Sequence, residues 1–276
     1  MKAYISVDVE GMPFIVSRDH LSPGRPLFEE SRRITTSLVT TVVEELHRQG
    51  FAEVIVADSH GGMVNLDVEK FPVYVEVIRG FPRPISMVTA VEEADAVLFL
   101  GYHAKAGTQE ATFDHTYSGR VIRSVSINGV EASEFLLNAY VAGHYGKPVI
   151  LVAGDEALLE SDVNRYAPWV VKVPLKKSLG RYSARSPSLE KTVAMLKNGA
   201  AEAVQKFKAG ETKKLVVNEP VELRITFCST AYADVACLTP GVRRLLPLVV
   251  KYTAKNIIEA YGLMELWVLA SIALEK

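Results

Sequence analysis

Apolar and polar positions alternate along the first 155 residues in blocks that predict strand and helix in turn. Lys2 to Val7 reads as an apolar strand. After a Gly- and Pro-punctuated loop from Gly11 to Pro26, the 3.6-residue spacing of apolar side chains predicts a long amphipathic helix from Leu27 to Gln49, stopped by Gly50. Strands are expected at Glu53 to Ala57, Val73 to Ile78, Ala96 to Leu100 and Val149 to Val152. Between the last two, an Asn128-Gly129 turn precedes a helix over Ser133 to Tyr145. Short continuous Val/Ile/Leu runs separated by helices indicate strands buried on both faces, so the fold class is α/β, a mostly parallel sheet flanked by helices.

Beyond Asp155 the pattern loosens. Helices are expected near Leu158 to Tyr166 and Leu189 to Lys208, strands near Val216 to Phe227 and Leu246 to Tyr252, and a last helix from Lys255 to Leu274. That helix is apolar nearly all round, which predicts full burial or a subunit interface. The expected division is an α/β domain, 1–185, and a smaller C-terminal α+β part, 186–276.

A length of 276 residues allows one large domain or two modest ones. Lys plus Arg number 31 and Asp plus Glu 32, a formal charge of -1. Such a balance gives no global field for a polyanion, so no nucleic-acid or membrane partner is expected. The charge is segregated: Lys172 to Lys214 holds eleven Lys/Arg against three Glu, net +8, which leaves -9 elsewhere. This stretch is either a solvated basic face or a basic lip, with Arg181 and Arg185, that recognises a carboxylate or a neighbouring subunit. Hydrophobic residues at 49% and a mean hydropathy of +0.14 point to apolar surface buried beyond a monomer core, hence a homo-oligomer. No uncharged run approaches the roughly eighteen apolar residues of a spanning helix, and Asp8 and Glu10 interrupt any signal-peptide apolar region. Cys228 and Cys237, in no metal-binding or redox motif, fit a reducing compartment and two buried small hydrophobes. A cytoplasmic protein is expected.

Three of the expected strands end alike. YISVDVEG ends in Asp8 and Glu10, VIVADSHGG in Asp58 and His60, and AVLFLGYHAKAG in His103. In an open parallel sheet the carboxyl ends of strands form the ligand crevice, so these side chains converge. Carboxylates and imidazoles meeting there suit Zn, Mn or Co, although Asp58 could cap a turn and a lone histidine could be structural. His115 lies in a polar loop, FDHTYSG, without core periodicity, and Glu134 falls in a helix's first turn after Ser133, where a capping role is also open. No phosphate-binding glycine motif and no G-x-S-x-G nucleophile elbow occurs, so hydrolysis here would use a metal-activated water.

At these residues the chain resembles the D-aminopeptidase family of dinuclear zinc peptidases, peptidase family M55. The matching segments are Ser6 to Gly11, Asp58 to Leu66, Leu98 to Thr108, Asp114 to Gly119, Ile127 to Asp155 and, more weakly, Arg181 to Ser188; the likeness covers about the first 190 residues. The resemblance implies that Asp8 bridges two zinc ions, that Glu10 and His60 complete one metal and His103 and Glu134 the other, and that His115 is the catalytic histidine. It also implies a ring-shaped homo-oligomer, a decamer of stacked pentamers. The activity expected is hydrolysis of the N-terminal residue, a D-amino acid, from short peptides or amino-acid amides. Asn138 and Asp155 lie in matching segments; the readings favoured for them are a helix hydrogen bond and an N-cap. A dinuclear phosphoesterase and a metal-stabilised, non-enzymatic scaffold are the alternatives. Only Lys105 lies beside the ligands to bind a phosphate, which weighs against the phosphoesterase.

Overall fold

A computed structural model describes residues 1–275. Its central sheet has seven strands: β1 (Lys2–Val7), β2 (Glu53–Asp58), β3 (Val75–Ile78), β4 (Ala96–Tyr102), β7 (Val149–Asp155), β8 (Val171–Gly180) and β9 (Ser183–Arg185). They lie in the order β3-β2-β1-β4-β7-β8-β9. All neighbours are parallel except the terminal β8–β9 hairpin. A second, antiparallel sheet is built from β5 (Ile122–Ile127), β6 (Val130–Glu131), β10 (Val221–Phe227), β11 (Arg243–Leu246) and β12 (Val249–Ala254), in the order β11-β12-β10-β5-β6. It is assembled from both sides of residue 185, since β5 pairs with β10.

The central parallel strands carry apolar residues on both faces because both faces are covered. Ala3, Ile5, Val54, Val56, Leu98 and Leu100 pack with α1 (Phe28–Arg48) and α5 (Leu189–Lys208). Tyr4, Ile55, Val97, Phe99 and Val152 belong to the opposite core, with α2 (Glu134–His144), the second sheet and α7 (Ile257–Ile272). Alternation along each strand therefore sorts side chains between two cores rather than between core and water. Helix α1 contributes Ile34, Leu38, Val39, Val42, Val43 and Leu46, a stripe at helical spacing.

Several sequence expectations need correction. Val216 to Pro220 is not strand; β10 starts at Val221, and the segment expected as one strand near Leu246 is the β11–β12 hairpin. The helix expected from Leu158 to Tyr166 is present and continuous, α3 (Glu156–Leu158) and α4 (Asn164–Tyr166) being joined by a π turn, Leu159–Val163. The Asn128-Gly129 turn joins β5 to β6, with φ of 49° and 80°, the left-handed pair that a tight hairpin requires. Neither cysteine is buried: Cys228 is exposed and Cys237 half-buried, both free, because they flank the short exposed helix α6 (Thr230–Ala236) rather than lying within a strand. Helix α7 buries Ile257, Ala260, Tyr261, Met264, Trp267 and Val268 on one side and leaves Leu266 54% exposed. Among the described residues no helix is long and apolar enough to cross a membrane.

Candidate metal centre

Strand β1 lies between β2 and β4, with chain order reversing direction there, so the site sits at the switch point of the sheet. Two glycines let the strand ends close up. The Asp8 amide donates to the Leu100 carbonyl and that of Gly11 to the Gly101 carbonyl. A Cβ on Gly101, which sits at φ +76°, would lie 2.0 Å from the Asp8 carbonyl oxygen, and one on Gly11 2.0 Å from that of Tyr102. This close approach brings Asp8 and Glu10 beside His103, just beyond β4. On the other flank, Asp58 ends β2 and accepts from the Asn65 amide at 2.5 Å, the Asn65 side chain at 2.7 Å and the Leu66 amide at 2.9 Å. Asp58 thus ties down the loop after His60, and the turn-capping reading describes it.

His60 Nδ1 stands 2.6 Å from Glu10 Oε2 and 3.3 Å from Asp8 Oδ1. His103 Nε2 stands 3.5 Å from Asp8 Oδ2 and 3.6 Å from Glu134 Oε1. Asp8 thus faces both histidines. Ser133, not Glu134, caps α2 by accepting from the Leu136 amide, and Glu134 turns inward, 5% exposed, where its Oε1 accepts from the Tyr117 amide at 2.7 Å. His115 completes the cluster: its ring stacks on His103 with centroids 4.4 Å apart, and its Nε2 is 3.5 Å from Glu134 Oε1.

Each histidine is oriented by a main-chain carbonyl. His60 Nε2 donates to Leu21 at 2.9 Å, His103 Nδ1 to Ala104 at 3.0 Å and His115 Nδ1 to Phe113 at 2.7 Å. A carbonyl can only accept, so the N–H of each neutral ring is on the outer nitrogen and the inner nitrogen presents a lone pair to the carboxylates. Lone pairs facing carboxylate oxygens repel unless a cation lies between them. Asp8 Oδ2, Glu10 Oε2 and His103 Nε2 are buried without a hydrogen-bond partner, which is how an ion's ligands look. Asp8, Glu10 and His60 form one compact ligand group and Asp8, His103 and Glu134 another. The residues fit divalent metal: three carboxylates and imidazole nitrogens are the donors Zn, Mn and Co prefer.

Electrostatics without metal agree. Burial and the adjacent Glu10 push the Asp8 carboxyl well above the usual carboxylate range. For Glu10 and Glu134 burial is outweighed by His60 and His103 respectively, which hold these carboxyls low. Burial opposes charge on the two imidazoles, yet the carboxylates raise His60 well above its ordinary value and His103 to about 10. The site binds positive charge, whether as protons or as metal.

Sequence reasoning missed Lys176. Its side chain is 1% exposed, and Nζ donates to the carbonyls of Glu10 at 2.5 Å and Ile15 at 2.7 Å, fixing the turn that carries Glu10. It also placed Asn138 in a helix hydrogen bond; instead Asn138 donates to the Tyr102 hydroxyl at 2.8 Å and accepts from that of Tyr261 at 3.0 Å, in a polar network. Asp155 does cap α3, accepting from the Ala157 amide. Lys105, the cation beside the ligands, is engaged by Asp162 at 2.5 Å and so is not left for a phosphate.

The comparisons with known proteins follow the same line. The family model Peptidase_M55, D-aminopeptidase, matches residues 1–266. The D-aminopeptidase of Bacillus subtilis (strain 168) is 33% identical over 266 residues, 96% of this chain and 95% of that protein. A solved structure described as the Zn-dependent D-aminopeptidase DppA from Bacillus subtilis, a self-compartmentalizing protease, matches with a TM-score of 0.92 at 32% identity over 97% of each chain. With a matching family model over nearly its full length, the chain belongs to the D-aminopeptidase family, peptidase M55.

Proposed function

We propose that the protein is a zinc-dependent aminopeptidase that removes the N-terminal residue, a D-amino acid, from short peptides or amino-acid amides. The observation that carries this reading is the Asp8 carboxylate facing both His60 and His103, with Asp8 Oδ2 and His103 Nε2 buried and left without hydrogen-bond partners. In this reading Asp8, Glu10 and His60 would hold one zinc ion, and Asp8, His103 and Glu134 a second. Two zinc ions so held would acidify water and polarise a scissile carbonyl.

The chain's own groups do the rest. His115, 19% exposed on its side chain, is the member of the cluster nearest solvent. With Nδ1 fixed on the Phe113 carbonyl, its Nε2 is free to carry a proton to the leaving amine or to stabilise the oxyanion. Glu134 Oε1 lies 3.5 Å from that nitrogen, where it would face the proton the ring carries. The fold's cover on both sides of the sheet leaves the strand ends as the approach for substrate.

Assembly into a ring-shaped decamer with inward-facing sites belongs to the same proposal. The C-terminal stretch leaves Leu238 82%, Leu246 63% and Leu266 54% exposed, apolar side chains that contact with a second copy would cover. The relative's description as self-compartmentalizing supports it. Two free cysteines support a cytoplasmic location. The test is hydrolysis of D-alanyl and L-alanyl anilides by metal-replete protein, with and without chelator, beside metal content per chain. Turnover of the D-substrate, lost with chelator, is the expected result. Turnover of neither anilide overturns the activity, and absence of metal overturns the ligand set.

A further inference from the structure

Residues 107–117, which carry His115, form no helix or strand. Phe113 and Tyr117 on either side of the histidine sit at φ of 53° and 66°, the left-handed region that side chains other than glycine avoid. Backbone held there needs contacts from outside the loop. On its inner side the loop has them: the Tyr117 amide donates to Glu134, the Thr116 hydroxyl to the Ala132 carbonyl at 3.0 Å, and the Tyr117 ring meets Tyr261 edge-on.

On the outer side Thr112 is held by Asp155 and Ser178, the Phe113 ring meets Tyr182 edge-on, and the two residues before the histidine are gripped by Arg181. Arg181 occupies the turn between β8 and β9, and both its main chain and its side chain grip the two residues before His115. Its carbonyl accepts from the Phe113 amide at 3.1 Å. Its Nη1 donates to the Asp114 carbonyl at 3.0 Å and pairs with Asp114 Oδ1. Asp114 Oδ2 in turn accepts from the Gly107 amide at 2.7 Å, closing the far end of the loop. The Phe113 carbonyl, between these grips, is the group from which the His115 ring hangs.

We propose that Arg181 is a positioning residue for His115, acting through Asp114 and without touching substrate; this rests on the role given to His115 above. Of its guanidinium, Nη1 is the nitrogen engaged by Asp114, while the side chain stays 46% exposed. Both acceptors are met by Nη1 at the far end of the long arginine side chain, so the shorter lysine retains the charge but only part of the grip. A loop displaced by about 1 Å costs on the order of a hundredfold in rate.

The experiment uses the metal-replete full chain. Arg181→Ala is expected to lower kcat about tenfold to a hundredfold with KM within about threefold of wild type and metal content unchanged. Hydrogen exchange at residues 107–118 should accelerate while β1 and β4 keep their protection. Arg181→Lys should recover part of the loss, and Arg181→Ala in a His115→Ala background should cost nothing further. Wild-type kcat in Arg181→Ala, a rise in KM alone, or losses that add fully in the double variant would each overturn the assignment. Should wild type prove inactive on aminoacyl anilides, or His115→Ala fully active, the proposed function fails instead. Exchange at 107–118 then still decides whether Arg181 holds the loop, unchanged exchange overturning it.

Discussion

Lys176 donates its ammonium to the main-chain carbonyl of Glu10 from 166 residues away in the chain, with a second bond to Ile15. The turn that presents one carboxylate of the metal centre is thus fixed by a buried cation on β8. Replacing Lys176 by Met strands two buried carbonyls, each worth about 1–3 kcal/mol. The expected outcome is a lower melting temperature and reduced metal per chain, read by thermal unfolding and metal analysis.

The same lysine gives a pH signature. Burial lowers its pKa from 10.5 to about 8. The unfolded chain therefore binds more protons than the folded one between those values, and stability rises with pH across that window. The cost of keeping the charge, on the order of 3 kcal/mol, is present in full below pH 8 and relieved toward 10.5, while the neutral amine still has donors for both carbonyls. The stability gap between wild type and Lys176→Met should therefore widen from about pH 8 to about pH 10 in denaturant titrations. A gap that narrows would contradict the assignment.

Metal binding should release protons. In metal-free protein the carboxylates raise the His103 pKa to about 10 and keep His60 high as well, so near neutral pH both rings are charged. A metal can bind only the deprotonated ring. Folded-state protonation of a group raised this way stabilises the metal-free chain fully below the ordinary histidine pKa and is lost as pH rises through about 10. Zinc affinity should therefore fall as pH falls, about tenfold per unit for each proton displaced. Calorimetry in buffers of different ionisation enthalpy reads the proton count, and a count of zero would be inconsistent with these ligands.

His115→Ala should retain metal and lose about 10² to 10⁴ in kcat, the usual worth of a positioned acid or base. Metal content measured alongside kcat separates this outcome from a disrupted centre.

Gly101→Ala should fail to fold or lose its metal. The added methyl would sit 2.0 Å from the Asp8 carbonyl oxygen at a positive φ, so β1 and β4 would have to separate at the residues they align. Soluble yield and metal content check this. Gly107, also at positive φ but with nothing within 4 Å of where an alanine methyl would stand, is the control expected to cost far less.

The sequence alone determined the periodic elements and the candidate ligand types. Unbroken Val/Ile/Leu runs betray strands covered on both faces, and Asp8, His60 and His103 are legible because parallel strands put their carboxyl ends on one edge whatever their order. The orientation of Glu134 and the company of His115 were not legible from periodicity, since the first stands where a capping residue would and the second sits in a loop without a repeat; the family resemblance named both. Lys176 is the sharpest case of what tertiary structure decided. Strict alternation after Val171, Val173 and Leu175 points Lys176 outward, but the β7–β8 register shifts there: Gly154 faces Pro174 and Asp155 faces Lys176. The skipped residue turns Lys176 inward, onto the Glu10 carbonyl, and Ser178 after it onto Asp155 at 2.6 Å. A bulge is a property of two strands pairing, and neither strand's sequence contains the other's register.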